Sequence, residues 1–163
     1  MLKRYWPESF SAFYKTKIQL SKNERDQIKY IVYNEKEKDN VVTTFGKPNI
    51  LDFPSLILLK DKIQKIINPL NLSLTNNWAQ LYHADNYHVA HNHPLSNYSG
   101  IIYIDSKGED GTLFFDQSGD VHHEKFEKNN LVLFPSHMFH QTQYQKVNNE
   151  RIILAFNCVF NAL

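Results

Sequence analysis

The spacing of apolar residues changes partway along the chain. Before about residue 72 it is helical. Ser21-Lys-Asn-Glu24 reads as a capping box, a serine followed three positions later by a glutamate. Ile28, Ile31 and Val32 then recur on one helical face, which predicts a helix over roughly 22–37. The charged run Glu35-Lys-Glu-Lys-Asp39 suits a solvated helix end and loop. Thr43 to Asn49, with Gly46 and Pro48, reads as a connector. Pro54 suits the first turn of a second helix, Leu56, Leu59, Ile63, Ile66 and Ile67 form its apolar stripe, and Asn68-Pro69 ends it.

Beyond residue 72 the pattern breaks into short segments. Trp78–Tyr82, Tyr87–His93, Ser99–Ile104, Thr112–Phe115, Asn130–Phe134, Phe139–Tyr144 and Arg151–Val159 read as strands. Turn signals at Asp85-Asn86, Asp105–Gly111, Ser118-Gly119, Pro135-Ser136 and Asn148-Asn149 separate them. Most of the aromatic residues (11 Phe, 9 Tyr and 2 Trp) fall after residue 78 and suit pleated surfaces. The expected fold is mainly β: a sandwich or barrel with two N-terminal helices packed outside.

At 163 residues the chain fits one domain, 1–163, with a helical part over 1–72 and a β-barrel over 73–163. A net charge of +1 gives no electrostatic case for nucleic acid or an anionic membrane. Cys158 is the single cysteine, which excludes an intrachain disulfide. Met-Leu-Lys-Arg-Tyr-Trp-Pro-Glu lacks the apolar run of a secretory signal, and Leu56–Leu59 is too short to span a bilayer, so a cytoplasmic location is expected.

The candidate chemistry is a histidine pair, a distant histidine and an arginine. In a strand, residues i and i+2 share a face, so His91 and His93 can reach one metal ion. His140 opens a later strand after Val132-Leu-Phe-Pro and is preferred over His137, which sits in the turn. One cysteine excludes a cysteine-based zinc site. A structural zinc needs four closed ligands, and only three are well spaced, so an open coordination position is expected. His88, His122 and His123 read as ordinary surface or core residues, and His83 stays open. Arg151, Ile153, Ala155 and Asn157 alternate onto one face that suits a barrel interior. A buried arginine there needs an anion, and a small dicarboxylate supplies it. Trp78, Tyr98 and Phe139 are further candidates to line such a pocket.

Several ordered blocks carry a resemblance. They are His91-Asn-His-Pro-Leu-Ser-Asn-Tyr-Ser-Gly-Ile-Ile-Tyr-Ile104, Gly111-Thr-Leu-Phe-Phe-Asp116, Leu131-Val-Leu-Phe-Pro-Ser136, His140 and Arg151-Ile-Ile-Leu-Ala-Phe-Asn157. Over roughly residues 76–160 the chain resembles the 2-oxoglutarate/Fe(II)-dependent oxygenases. It is most similar to the prolyl-hydroxylase-like branch, including small members from phages and marine bacteria. The resemblance implies a double-stranded β-helix, a jelly-roll or cupin-like barrel. It implies Fe(II) and 2-oxoglutarate as cofactors, dioxygen as co-reactant, and hydroxylation of a C–H bond, with a peptidyl or free amino acid as substrate class. It assigns iron ligation to His91 and His140, and the distal cosubstrate carboxylate to Arg151 and Tyr103. Tyr82 is implied as a pocket-lining residue, with Gln80 and Asn157 as further contacts.

One position departs from that pattern. His93 stands where the family carries an aspartate or glutamate. Imidazole suits Fe(II), but the exchange removes a negative charge from the site. Asp85, Asp105 and Asp116 are the nearby carboxylates, none at the family's spacing. A three-histidine cupin-type enzyme that uses no 2-oxoglutarate, or a binding module without activity, are the competing readings. The segments Asp105–Gly111 and Asp116–Phe126 are the expected substrate loops, the second also readable as a solvated hairpin.

Overall fold

The computed structural model describes residues 3–4, 13–38, 40–106, 111–116, 119–143 and 150–162. In chain order its elements are β1 (Lys3–Arg4), β2 (Tyr14–Lys17), α1 (Lys22–Tyr33), β3 (Glu37–Lys38), β4 (Val41–Thr43) and α2 (Ile57–Ile67). There follow β5 (Leu72–Tyr82), β6 (His88–His91), β7 (Tyr98–Ser106), β8 (Thr112–Phe115), β9 (Val121–Glu124), β10 (Asn130–Pro135), β11 (Phe139–Thr142) and β12 (Arg151–Phe160).

Local chemistry explains the helices. The capping box is made: Glu24 N–H donates to Ser21 Oγ at 3.2 Å and Ser21 N–H to Glu24 Oε2 at 2.7 Å. Asn34 stops α1 earlier than the pattern suggests, its Nδ2 donating to the Tyr30 carbonyl at 2.7 Å. Pro54 opens a short 3-10 turn, Pro54–Leu56, that feeds α2. Leu56, Leu59, Ile63 and Ile67 are fully buried on the expected stripe.

Two antiparallel sheets follow. The larger has the order β1-β2-β10-β7-β12-β5-β4-β3 and the smaller β6-β11-β8-β9. From β5 onward the chain passes back and forth between them, with β5, β7, β10 and β12 in one and β6, β8, β9 and β11 in the other. Alternation along the strands splits the core into two layers. Ile102, Ile104, Leu131, Leu133, Ile152 and Leu154 pack with residues of α1 and α2 on one face of the larger sheet. Ile101, Tyr103, Val132, Phe134 and Ile153 turn the other way and meet Phe114 of the smaller sheet.

One correction concerns the division at residue 72. The N-terminal part is not only helical, because β1 to β4 extend both edges of the larger sheet. β2 pairs with β10 and β4 with β5. These segments are too short to show a period, and they become strands because an existing edge offers unpaired backbone groups. Val121–Glu124 pairs with β8, so this part of Asp116–Phe126 takes the hairpin form rather than that of an open loop. Residues 107–110, 117–118 and 144–149, which carry parts of the expected loops and turns and the end of the Phe139–Tyr144 strand, lie outside the described residues. Among the described residues no helix is long and apolar enough to cross a membrane.

Candidate metal centre and cavity

His91 and His140 face each other because the register of the smaller sheet pairs them directly. β11 lies between β6 and β8, so His140 is held from both sides, opposite His91 and Phe114. His93 lies two residues past the end of β6. Its backbone N–H donates to the Ser136 carbonyl at 2.8 Å. The three rings converge, with candidate donor atoms all within 4.8 Å of one another. Ring centroids are 4.3 Å apart for His91–His140 and 5.2 Å for His93 against each of the others. Protein histidines hold transition metals at about 2.0–2.1 Å, so small side-chain rotations suffice to close this set on one ion.

The second ring nitrogens define the tautomers. His91 Nδ1–H donates to the Val89 carbonyl at 2.9 Å, and His140 Nδ1–H donates to the Met138 carbonyl at 3.3 Å. Both bonds leave Nε2 free to donate to a metal, the arrangement metal-binding histidines use. Burial holds all three rings in the neutral form that ligation needs. It lowers His91, takes His93 down to about 4 with help from the charges of His91 and His88, and puts His140 well below the ordinary histidine range.

The triad opens on a cavity of about 310 Å³. No Asp, Glu, Lys or Arg stands among the described residues that line it. Its walls carry the neutral polar groups Thr43, Gln80, Tyr82, Ser99, Thr112 and Thr142. Tyr82 Oη donates to Gln80 Oε1 at 3.0 Å and Tyr103 Oη to Thr112 Oγ1 at 3.0 Å. Burial raises the pKa of both tyrosines, which keeps them hydroxyl donors. Arg151, only 1% exposed, lies behind this wall. Its guanidinium carbon is 4.7 Å from the Tyr82 ring centroid, and Nη1 donates to the Gly111 carbonyl at 2.6 Å.

Each expected site residue has a definite place. His91, His93 and His140 converge, whereas His137 is exposed in the preceding turn. Tyr82 lines the cavity, and Tyr103 and Arg151 stand one layer back, in contact with lining groups. Asn157 does not line it: its side-chain oxygen accepts from Ser99 Oγ at 2.8 Å. Trp78 lines the cavity, but Tyr98 packs toward Tyr14 and Phe160, and Phe139 is half exposed. None of the three nearby aspartates joins the histidine group. Asp105 is engaged with Lys29 and Lys128, Asp116 caps a turn by accepting from Asp120 N–H, and Asp85 is exposed.

Sequence reasoning missed His88, Thr112, Thr142 and the N-terminal contributors Val41, Thr43 and Phe45. His88 was read as an ordinary histidine, yet it lines the cavity with its ring centroid 4.2 Å from that of His91. Strict alternation puts residues i and i+3 on opposite faces. The register between β6 and β11 shifts between His140 and Thr142, however, and this bulge brings both rings to one side.

No protein-family model matches the chain. No curated protein matches it either. Solved structures do, at low identity, and they define a class of fold: that of the 2-oxoglutarate/Fe(II)-dependent oxygenases. One is the 2-oxoglutarate complex of a viral collagen prolyl hydroxylase from Paramecium Bursaria Chlorella virus-1. Its TM-score is 0.68 at 14% identity, covering 92% of this chain and 96% of that one. Another is HygX from Streptomyces hygroscopicus with nickel, 2-oxoglutarate and hygromycin B bound, with TM-score 0.68, 10% identity and coverage of 91% and 83%. A third is an oxidoreductase of the 2OG-Fe(II) oxygenase family from Burkholderia pseudomallei, with TM-score 0.59, 9% identity and coverage of 83% and 77%.

Proposed function

We propose that the chain, as a single domain over 1–163, is an Fe(II)- and 2-oxoglutarate-dependent dioxygenase that hydroxylates a C–H bond. The observation that carries this reading is three imidazole donors converging within 4.8 Å on a cavity with a buried arginine behind Tyr82 of its wall. The alternation of strands between two sheets from β5 to β12 supports a double-stranded β-helix, the architecture expected from the sequence.

The residues fit both groups. His91, His93 and His140 would hold the metal on one face, leaving the cavity side open, as non-haem iron oxygenases require. Thr112 and Thr142 offer hydroxyls to the distal carboxylate of 2-oxoglutarate beside Tyr82, whose own proton goes to Gln80, and the charge of Arg151 behind Tyr82 favours an anion there. When bound, iron and 2-oxoglutarate supply the oxidising power for C–H cleavage; the protein supplies placement and a dry pocket. Trp78, Ile101, Phe134 and Ile153 exclude water from the open face. The substrate class we infer is a residue within a peptide or a free amino acid.

A second reading follows from His93. The triad is neutral, with no carboxylate in the group among the described residues, as in a three-histidine enzyme that does not use 2-oxoglutarate. One experiment separates the two. Calorimetric titration of Ni(II)-loaded protein with 2-oxoglutarate should show one-site binding. Arg151→Met should weaken it about tenfold, since the lost charge acts through the cavity wall and is worth roughly 1–2 kcal/mol at an effective dielectric of about 20. Nickel binding should persist in the variant. Wild-type protein that binds nickel but not 2-oxoglutarate would favour the second reading.

A further inference from the structure

The three candidate ligands are not held in the same way. His91 and His140 each have a ring nitrogen tied to the carbonyl two residues earlier. Among the described residues no such bond is made by the ring of His93, which rests against Trp78 with centroids 5.6 Å apart. His93 is therefore placed through its backbone. Its N–H reaches the carbonyl of Ser136, a residue with no solvent exposure in the turn between β10 and β11.

A buried polar chain fixes that carbonyl. Ser136 N–H donates to the Asn97 carbonyl at 3.0 Å, and its Oγ lies 2.9 Å from Ser99 Oγ. Ser99 Oγ donates to Asn157 Oδ1 at 2.8 Å. A hydroxyl has one proton, so Ser99, having given its own to Asn157, must accept from Ser136. The order is Ser136 to Ser99 to Asn157, and all three side chains are at most 6% exposed. β12 has a register shift against β5 between Phe156 and Cys158, so the chain ends at a local irregularity beside Asn157. Asn97, which receives the Ser136 N–H, also donates its own N–H to the Cys158 carbonyl at 2.9 Å, so the His93 loop, the turn and β12 form one hydrogen-bonded unit.

We propose that the buried chain Ser136–Ser99–Asn157 is the positioning device for His93, doing through the backbone what the carbonyls of Val89 and Met138 do directly for the other two rings. The inference rests on the metal reading above. The serines and the asparagine are positioning residues: Ser136 and Asn157 do not line the cavity, and Ser99, which does, acts on His93 through Ser136. Removing the Ser99 hydroxyl strands the Ser136 proton and the Asn157 oxygen in a dry interior. The turn then relaxes, and with it the carbonyl that holds His93.

The test is a double-mutant cycle on metal affinity. Ni(II) binding is measured by calorimetry and the ligand field by the visible spectrum of the Co(II)-loaded protein, for Ser99→Ala, Ser136→Ala and Asn157→Ala, each alone and combined with His93→Ala. Three variants break the same chain, so failure of one to fold does not remove the test. Each single variant should lose about 10–100-fold in Ni(II) affinity, the usual cost of losing an outer-shell partner. Its Co(II) bands should move toward those of His93→Ala. In the His93→Ala background the same changes should cost no further affinity. Unchanged affinity and spectrum in the single variants overturns the proposal. So does an equal loss in both backgrounds, which would mean the chain supports the whole scaffold. Wild-type protein that binds no Ni(II) overturns the metal reading and this inference with it.

Discussion

Replacing His140 by alanine is expected to lower divalent-metal affinity more than about 100-fold, because even an outer-shell partner of a metal-bound histidine is worth about 10–100-fold. The other two imidazoles cannot compensate. His91 is fixed opposite His140 by strand register, and His93 lies in a loop whose backbone is anchored at Ser136. The fold should survive. β11 keeps β6 and β8 on either side, and the lost ring leaves a gap beside Phe114 and Phe134. Such a gap costs about 1–3 kcal/mol. Calorimetry with Ni(II) and a thermal melt measure the two quantities separately. His137→Ala, an exposed change three residues away, serves as control and should alter neither. A His140→Ala protein with wild-type metal affinity would remove His140 from the site.

The second large effect is expected at Gly111, outside the histidine group. A Cβ built on Gly111 overlaps the backbone carbonyl of Glu124 in the neighbouring strand, so Gly111→Ala must push β8 and β9 apart at the pair Thr112–Glu124. Backbone cannot yield as a flexible side chain can. Overpacking of this kind costs about 3 kcal/mol, or a melting temperature lower by about 6–12 °C in a domain of this size. The Gly111 carbonyl also accepts the hydrogen bond from Arg151 Nη1. The substitution should therefore weaken 2-oxoglutarate binding in whatever fraction stays folded. Gly46→Ala, whose added Cβ meets nothing within 4 Å, isolates the cost of a positive φ from that of a clash. Equal melting temperatures for Gly111→Ala and wild type would contradict this account of the strand pair.

What could be read from the sequence was whatever follows a period or a short-range rule. The stripe of α2, the capping box of α1 and the central strands all declare themselves locally. His91, His93 and His140 stood out because donor spacing on strands is itself a pattern. The rest depends on contacts between distant segments. β2 and β4 become strands only because β10 and β5 have free edges. His88 faces the cavity because of a bulge that alternation does not reveal. Thr112 and Thr142 are small hydroxyl residues with no motif of their own, paired across β8 and β11 and brought to the cavity wall by that register. Asn157 lies on the expected face but spends its oxygen on Ser99, which no reading of β12 by itself reveals.

His93 was the least secure member of the triad from sequence, since a carboxylate was expected in its place. Its ring meets the other two, and the nearby aspartates are engaged or exposed elsewhere. A neutral triad leaves the full charge of the metal to be balanced by what enters the cavity, which suits an anionic cosubstrate held against the charge of Arg151. The most direct measurement is the visible spectrum of Fe(II)-loaded protein titrated with 2-oxoglutarate without oxygen. A weak metal-to-ligand charge-transfer band that saturates with the cosubstrate, and is missing in His140→Ala, is the expected result. Protein that demonstrably holds Fe(II) yet develops no such band, and releases no succinate when air is admitted, would contradict the account.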